Sequence, residues 1–564
     1  MRQIINFIGD FINHRILLVL IGAACMLSGL NFSLYHENIL GIHVVNVIVL
    51  IGFFLLLSFN KIVLPTDKVS LLIYSFVLIG LFTTAYKNGI GLQLALNKDT
   101  LLYLTFAVFY LIIYQLDKYK LLDVLSRLLF YMSTLFVIEF WWFLTKGYEY
   151  DTHGLFIARH HLALFLIIIT GIYLQYNTVK KVDYIVILSF LITLIFCESR
   201  AAIIALIAGI TTYSMCRYSV YLGWKKVALR LLLGGLFVVG LLYINLESIQ
   251  GRSILLDIGI TMVQPSNLMF GAGNGFVENY LSHYQSLYFQ EQPIDIGLYG
   301  GDVKTLLNEP LKLLVDNGMV GLLIFILINI VCIYHLYQSK SYCLLFCLVV
   351  FSVFSVFSNP FFLPTNIFLL AILYVGNNRN FNIDVNISFR IIFILITLLS
   401  IGVQLVVIYH LYKWKKLSYY TIEQTTPSMI KEYEGLQNIL WNYGYFLNDY
   451  ALRLQQMEKY EGARKVLDQA LILQPSLSNY LNSGYNYELL KQYERAEQDY
   501  MMAIYVQPKL FYPKYLLFDL YREAGWSDKA IKWGKEMLSY PVKITHPDVD
   551  EIKNEIENYL IQNQ

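Results

Sequence analysis

This chain of 564 residues predicts an all-α fold, a polytopic helical membrane domain followed by a soluble helical tail. Three observations predict it. The hydrophobic fraction is 57% against 15% charged residues, with a mean hydropathy of +0.54, and a soluble protein of this length cannot hide so much apolar surface. Apolar stretches follow one another from residue 16 to residue 411, enough for about 12–13 spans. From Asn438 onward they give way to amphipathic helices that repeat every 33 residues.

The stretches fall near 16–34, 42–59, 70–86, 100–116, 125–145, 161–176, 184–197, 201–216, 229–245, 319–337, 341–357, 361–376 and 389–411. Ile16–Phe32 lacks a small-residue cleavage site and reads as a first span rather than a removable leader. The short pair around Ser199 reads as broken or tilted helices, because a bilayer asks for about 20 residues. Lysine and arginine set the orientation. With the N-terminus inside, inner loops carry Arg2, Arg15, Lys61, Lys68, Lys118, Lys120, Lys180, Lys181, Arg217, Lys225, Lys226, Lys340 and Arg379. The outer short loops hold only Lys87, Lys98, Lys146, Arg159 and Arg200. The long segment 246–318 then faces out, and so does the tail, although Lys413, Lys415 and Lys416 weigh mildly against this. The expected organisation is a membrane domain over 1–411 that includes loop 246–318, a linker over 412–437 and a repeat domain over 438–564.

Loop 246–318 has the polar groups and the room for chemistry. Its Gly271, Gly273 and Gly275 do not make a nucleotide fingerprint, which needs a strand before and a helix after in a soluble unit. Two readings stay open for these glycines: a flexible connection, or a backbone turn that sets loop groups over a lipid-borne substrate. Arg200 lies between two apolar stretches. An arginine costs about 2.5–3.5 kcal/mol at a helix centre and less near the interface. It either snorkels and pairs with Glu198 or binds an anion, since guanidinium suits bidentate phosphate recognition. Arg252, at the mouth of the loop, invites the same reading. His153, His160, His161 and His283 gather on the same face. Adjacent histidines point apart on a helix, so Arg159-His160-His161 is no metal motif. Glu309 and Asp302 are the acidic candidates.

In the tail, Ala451, Tyr460, Ala463, Leu467, Ala470 and Pro475 recur as Gly484, Tyr493, Ala496, Tyr500, Ala503 and Pro508. A weaker third copy runs through Tyr521 and Ala530 to Pro541. Small residues at helix crossings and a proline after the second helix form the tetratricopeptide pattern, which serves either as a cap or as a protein-docking groove. All six cysteines (Cys25, Cys197, Cys216, Cys332, Cys343, Cys347) fall in or beside apolar stretches and read as packing residues. Neither the net charge of +2 nor any basic tract points to nucleic acid. No cofactor and no metal is expected.

The order Ser199-Arg200-Ala201-Ala202, Gly251-Arg252, Gly271-x-Gly273-x-Gly275-Phe276, then Asn308-Glu309-x-x-Lys312-Leu313 leading to Asn317-Gly318-x-x-Gly321, resembles the O-antigen ligase and polymerase superfamily. That superfamily includes bacterial protein O-oligosaccharyltransferases. Tyr284-Gln285-x-x-Tyr288-Phe289, Gly301-Asp302-Val303 and Pro513-Lys514-Tyr515-Leu516-Leu517 with Pro541-Val542-Lys543-Ile544 look like its Bacteroidota branch with a tetratricopeptide tail. The resemblance covers nearly the whole chain. It implies a multi-pass inner-membrane enzyme whose loop and tail are periplasmic. Such an enzyme moves a glycan from undecaprenyl diphosphate to an acceptor hydroxyl, on lipid A core, on a secreted protein or on the growing glycan. It implies that Arg200 and Arg252 hold the diphosphate, while Gly271, Gly273, Gly275 and Asn308 position the loop. Many members carry a histidine just before the residue matching Asn308, where this chain has Leu307. Three possibilities for the base stay open: Glu309, His283, or leaving-group stabilisation with little base help.

Overall fold

A computed structural model describes residues 39–59, 63–88, 97–118, 121–147, 158–218, 246–292, 294–297, 300–301, 303–376, 382–540 and 547–563. The expected spans at 16–34 and 229–245 lie outside these, as do His153 and Asp302. The first helices are α1 (Ile39–Phe59), α2 (Lys68–Asn88), α3 (Lys98–Lys118), α4 (Leu122–Lys146), α5 (Arg159–Tyr176), α6 (Lys181–Phe196) and α7 (Arg200–Tyr218). The long segment carries α8 (Leu246–Met262), α9 (Phe276–Gln290) and α10 (Ile294–Gly297). Then follow α11 (Glu309–Gln338), α12 (Tyr342–Phe357), α13 (Pro364–Val375) and α14 (Ile387–Ser418). The tail is α15 (Pro427–Leu440), α16 (Gly444–Gln456), α17 (Tyr460–Leu473), α18 (Leu477–Leu489), α19 (Tyr493–Val506), α20 (Tyr512–Glu523), α21 (Ser527–Ser539) and α22 (Pro547–Gln562). Among the described residues the only sheet is a two-stranded antiparallel pair, β1 (Val63–Pro65) with β2 (Asn382–Asp384). The fold is all-α.

Contacts divide the chain into two units. The first holds Met1–Leu246, Pro265–Gly275 and Leu307–Tyr409; the second holds Glu247–Gln264, Phe276–Leu306 and His410–Gln564. The sequence boundaries put the whole of 246–318 with the membrane helices, whereas its contacts are shared between the units. The stretch 412–437, read as a linker, is largely helical, since α14 runs on to Ser418 and α15 begins at Pro427.

In the first unit six described helices (α1, α2, α3, α4, α11 and α14) are long and apolar enough to cross a membrane. Along α11, Leu323, Ile326, Leu327 and Ile330 are exposed, and so are Leu395, Leu398 and Leu399 on α14. Such faces are untenable in water and ordinary against lipid tails. At the centre every residue of α13 is buried, packed against α3, α5 and α12. Asp183, fully buried at the head of α6, accepts from the Lys180 backbone N–H and from the hydroxyls of Tyr131 on α4 and Tyr173 on α5, each at 2.6 Å. One carboxylate thereby caps a helix and joins three. Around Ser199 the chain forms two helices, α6 of 16 residues and α7 of 19. Glu198 takes φ 53° between them, and Ser199 Oγ accepts from the Ala202 N–H at 3.3 Å to start α7.

In the second unit consecutive helices pack side by side through short connections. Ala451, Ala463, Ala470, Ala496, Ala503 and Ala530 are all fully buried, and Gly484 lets the Tyr500 ring lie on the backbone of α18. Close helix approach is therefore why small residues recur there. Arg453 and Asp449, both buried, tie the end of α14 to this stack. Arg453 donates to the Tyr420 and Thr421 carbonyls at 2.7 Å each, and Asp449 accepts from Trp414 at 2.8 Å and Tyr433 at 2.5 Å.

Half-buried Glu488 accepts from the Tyr500 hydroxyl at 2.7 Å, and burial lifts its carboxyl to about 7. A carboxyl raised in the folded state contributes stability below its unfolded value near 4.5 and loses it as pH passes about 7. Glu488→Gln keeps the acceptor for Tyr500 and cannot ionise. Its thermal midpoint relative to the parent should therefore rise between pH 5 and pH 8 in detergent melts; a pH-independent difference would contradict the burial argument.

Candidate functional site

Helix α11 is broken where the sequence reads Asn317-Gly318. Asn308 starts it, its side chain accepting from the Leu311 N–H at 2.9 Å and donating to the Val356 carbonyl at 3.0 Å. Gly318 then takes φ 70° and ψ −175°, a conformation essentially reserved for glycine. A helix interrupted there strands carbonyls before the break and N–H groups after it. The segment Leu268–Gly273 supplies the missing partners. Its Ala272 and Gly273 N–H groups donate to the Val315 and Asp316 carbonyls, both at 2.9 Å. Its Leu268 and Met269 carbonyls accept from the Met319 and Val320 N–H groups at 2.8 and 3.1 Å.

This close pairing explains the glycines. Gly271, Gly273 and Gly275 all have positive φ. A side chain on Gly271 would overlap the Asp316 carbonyl, and one on Gly318 the Met269 carbonyl. The glycines thus form a tight turn, buried from Gly271 to Gly275.

Around the turn lies a buried polar network. The Asn274 backbone N–H donates to Thr84 Oγ1 at 2.9 Å, and its side chain donates to the Gly80 carbonyl and Thr100 Oγ1 at 3.2 and 3.3 Å. Asn317 Nδ2 donates to Asn274 Oδ1 at 2.7 Å, and the Tyr103 hydroxyl donates to Asn317 Oδ1 at 3.2 Å. One turn back on α11, Lys312 Nζ bridges Asp99 at 2.7 Å and Asp316 at 3.0 Å. Glu309, 1% exposed, lies in the same region; the Phe361 N–H stands nearby without closing a hydrogen bond of normal geometry with either carboxylate oxygen.

The expected site residues divide between the units. Arg200, Gly271, Gly273, Gly275, Asn308 and Glu309 belong to the first, Arg252 and His283 to the second. Arg200 is the first residue of α7 and half-exposed. Glu198 faces Arg159 at 3.9 Å rather than Arg200, and among the described residues nothing pairs with the Arg200 guanidinium. Arg252 is half-buried on α8 and engaged in a contact of its own. His283 lies on α9 with Nδ1 3.3 Å from the Tyr480 hydroxyl, and burial lowers its pKa, which favours the neutral ring. His161 is buried against Asn366 at 3.2 Å, and the His160 ring lies 4.3 Å from it at a tilt of 39°, so these neighbours do not point apart as expected. No group of three His, Cys, Asp or Glu able to hold a metal occurs among the described residues.

Sequence reading had named Lys312 and Asn317 only as motif positions, and it passed over Asp99 and Asp316. An i,i+4 Lys–Asp pair inside an apolar run is the sign that marks Lys312 and Asp316, whereas Asp99 carries no such local mark. The first unit also contains an apolar cavity of ≈ 310 Å³ between α5, α6, α7 and α12, lined by Leu194, Leu206, Ile210 and Phe346 among others. Compared with known proteins, the chain matches no family model and no curated protein.

Removing Lys312 leaves two buried carboxylates facing each other, a change that costs about 3–5 kcal/mol when one partner of a buried pair is lost. Lys312→Met should therefore strongly lower the thermal midpoint in detergent. Combining it with Asp99→Asn and Asp316→Asn should restore most of the loss. A single variant as stable as its parent would mean that the ammonium does not hold the network.

Proposed function

We propose that this chain is a membrane glycosyltransferase that moves a glycan from a polyprenyl diphosphate to an acceptor hydroxyl, in the manner of O-antigen ligases and protein O-oligosaccharyltransferases. The observation that carries the reading is Arg200, an arginine at the head of α7 with no ion-pair partner among the described residues. A helix N-terminus and a free guanidinium together favour an anion such as a diphosphate. The apolar cavity supports the same reading, because α7 lines it from Leu206 to Tyr213, about 9–20 Å along the helix from Arg200. That is room for part of an isoprenoid chain.

The reaction is a displacement at the anomeric carbon. The acceptor oxygen forms the new glycosidic bond, the bond to the diphosphate breaks, and the leaving diphosphate takes the electron pair. Arg200 and Arg252 stabilise the developing charge. The acceptor proton goes to a carboxylate or imidazole, Glu309 or His283, or to solvent if the leaving group carries most of the barrier. No metal or cofactor enters this scheme. The tail reads as a tetratricopeptide domain, supported by the buried alanines at its helix crossings. A protein acceptor docked on it is the corresponding partner, with lipid A core as the other acceptor. The compartment is the periplasmic face of a bacterial inner membrane. Transport is the rival. A break inside α11 suits it, since discontinuous helices often build transporter sites. Asp99, Glu309 and Lys312 nevertheless sit in the first turns of their helices rather than at mid-span.

Arg200→Ala and Arg252→Ala should each lower glycan transfer by about 100-fold or more while the protein inserts and accumulates. Lysine at either site should rescue poorly, since it lacks the planar fork. Near-normal transfer in both alanine variants would overturn the diphosphate role, and a transporter would instead lose uptake.

Topology is tested separately. Glu291 and Glu494 are exposed in the second unit. Glu291→Cys and Glu494→Cys should react with an impermeant thiol reagent in intact spheroplasts above the labelling of the parent. Labelling only after lysis would put both segments in the cytoplasm and remove the lipid-linked donor from reach.

A further inference from the structure

Helix α9 belongs to the long segment after α8, yet its partners come from the tail. Its buried positions Val277, Leu281, Gln285 and Phe289 recur every fourth residue, one stripe on a helix, and α9 packs on α19. Gln285 is the polar member of that stripe. Its amide uses both hydrogens, donating to the Val506 carbonyl at 2.5 Å and the Gly301 carbonyl at 2.9 Å. The Tyr280 hydroxyl donates to the Ile472 carbonyl at 2.7 Å. Ile472 and Val506 lie in the last turns of α17 and α19, whose final carbonyls have no partner within their own helices. Two successive repeats thus present the same kind of orphan acceptor, and α9 supplies donors to both. Farther along, Lys304 donates to the Tyr445 hydroxyl at 2.8 Å, and Gly297 leaves no space for a side chain against Pro508.

Along α9 the row begun by Tyr280 continues through Tyr284 and Tyr288, and these two tyrosines link α9 to the end of α8. Tyr284 and Tyr288 are one turn apart. The Tyr284 hydroxyl accepts from Gln264 Nε2 at 2.7 Å, and burial, then the Asp257 carboxylate, raises the Tyr288 phenol. Helix α8 carries Arg252.

We infer that the tail acts in cis: its helices hold α9, and through it α8 with Arg252, so that the tail serves the donor arginine instead of recruiting an acceptor through the face that α9 covers. Tyr280 and Gln285 are then positioning residues. The inference rests on the reading of Arg252 as a diphosphate ligand.

The test is the full-length double variant Tyr280→Phe/Gln285→Ala, assayed by hydrogen exchange and by transfer kinetics with a polyprenyl-diphosphate glycan. Losing these hydrogen bonds should speed amide exchange across 247–264 and 276–290 by about tenfold, with 265–275 and α15–α21 unchanged. The KM for the donor should rise by a similar factor, with the KM for the acceptor at its parental value. Gln285→Glu, equal in shape but without amide hydrogens, should act the same way, and it carries the comparison if the double variant does not accumulate. Unchanged exchange over 247–264 and 276–290 would overturn the inference. So would a rise in acceptor KM with the donor KM fixed, which would make this face a docking surface. If Arg252→Ala transfers normally, the diphosphate reading fails on its own, and exchange alone still decides whether the tail holds α8.

Discussion

A backbone group buried in a membrane protein has no water to turn to, and the first unit is arranged around that constraint at Gly318. Breaking α11 there frees two carbonyls and two N–H groups that Leu268–Gly273 takes up in four hydrogen bonds. Leaving such groups unpaired in hydrocarbon costs several kcal/mol each, so the set approaches the whole stability of a typical domain, about 5–15 kcal/mol. Segment 265–275 is therefore part of the core. The glycines follow from the pairing, since two backbones at hydrogen-bond distance leave no space for a Cβ at Gly271 or Gly318. Asn274 and Asn317 follow as well, because the turn delivers them into one another's reach.

The charges obey a related rule. A lysine buried near the start of a membrane helix is tolerable only with its charge compensated, and Asp99 and Asp316 compensate Lys312 while the Tyr103–Asn317–Asn274 chain satisfies the polar groups beside it. Burial makes such a network costly to disturb. It fixes the entrance of α11, and with it the residues on either side of the break.

The parts of this arrangement that were legible in the sequence are those encoded locally. Apolar runs announced α1 to α7 and α11 to α14, and the interruption at Ser199 was visible because a charged Glu-Ser-Arg cannot continue a lipid-facing helix at ordinary cost. The 33-residue register of small residues announced the close crossings of the tail. What was not legible depends on distant partners. Asp99 meets Lys312 across 213 residues, and nothing near Asp99 distinguishes it from an interfacial carboxylate. The glycine triplet showed that the backbone needed freedom, yet not that a broken helix was the reason. Segment 412–437 reads as a linker because it lies between the last apolar stretch and the first repeat; the buried Trp414 and the Arg453–Asp449 pair that hold it come from helices that composition alone does not join.

Between residues 246 and 307 the chain leaves the first unit, returns for 265–275 and leaves again. Long irregular segments are uncommon in compact proteins because ordering them costs entropy that few contacts repay. Here the return of 265–275 to the first unit divides one long excursion into two shorter ones, 247–264 and 276–306. Within the second, α9 lays a buried stripe on α19 and meets the orphan carbonyls of α17 and α19 with Tyr280 and Gln285. The glycine turn thus fixes 265–275 and the tail fixes α9, two different parts of one segment. His283 rides on α9, while Arg200 and Glu309 belong to helices of the first unit.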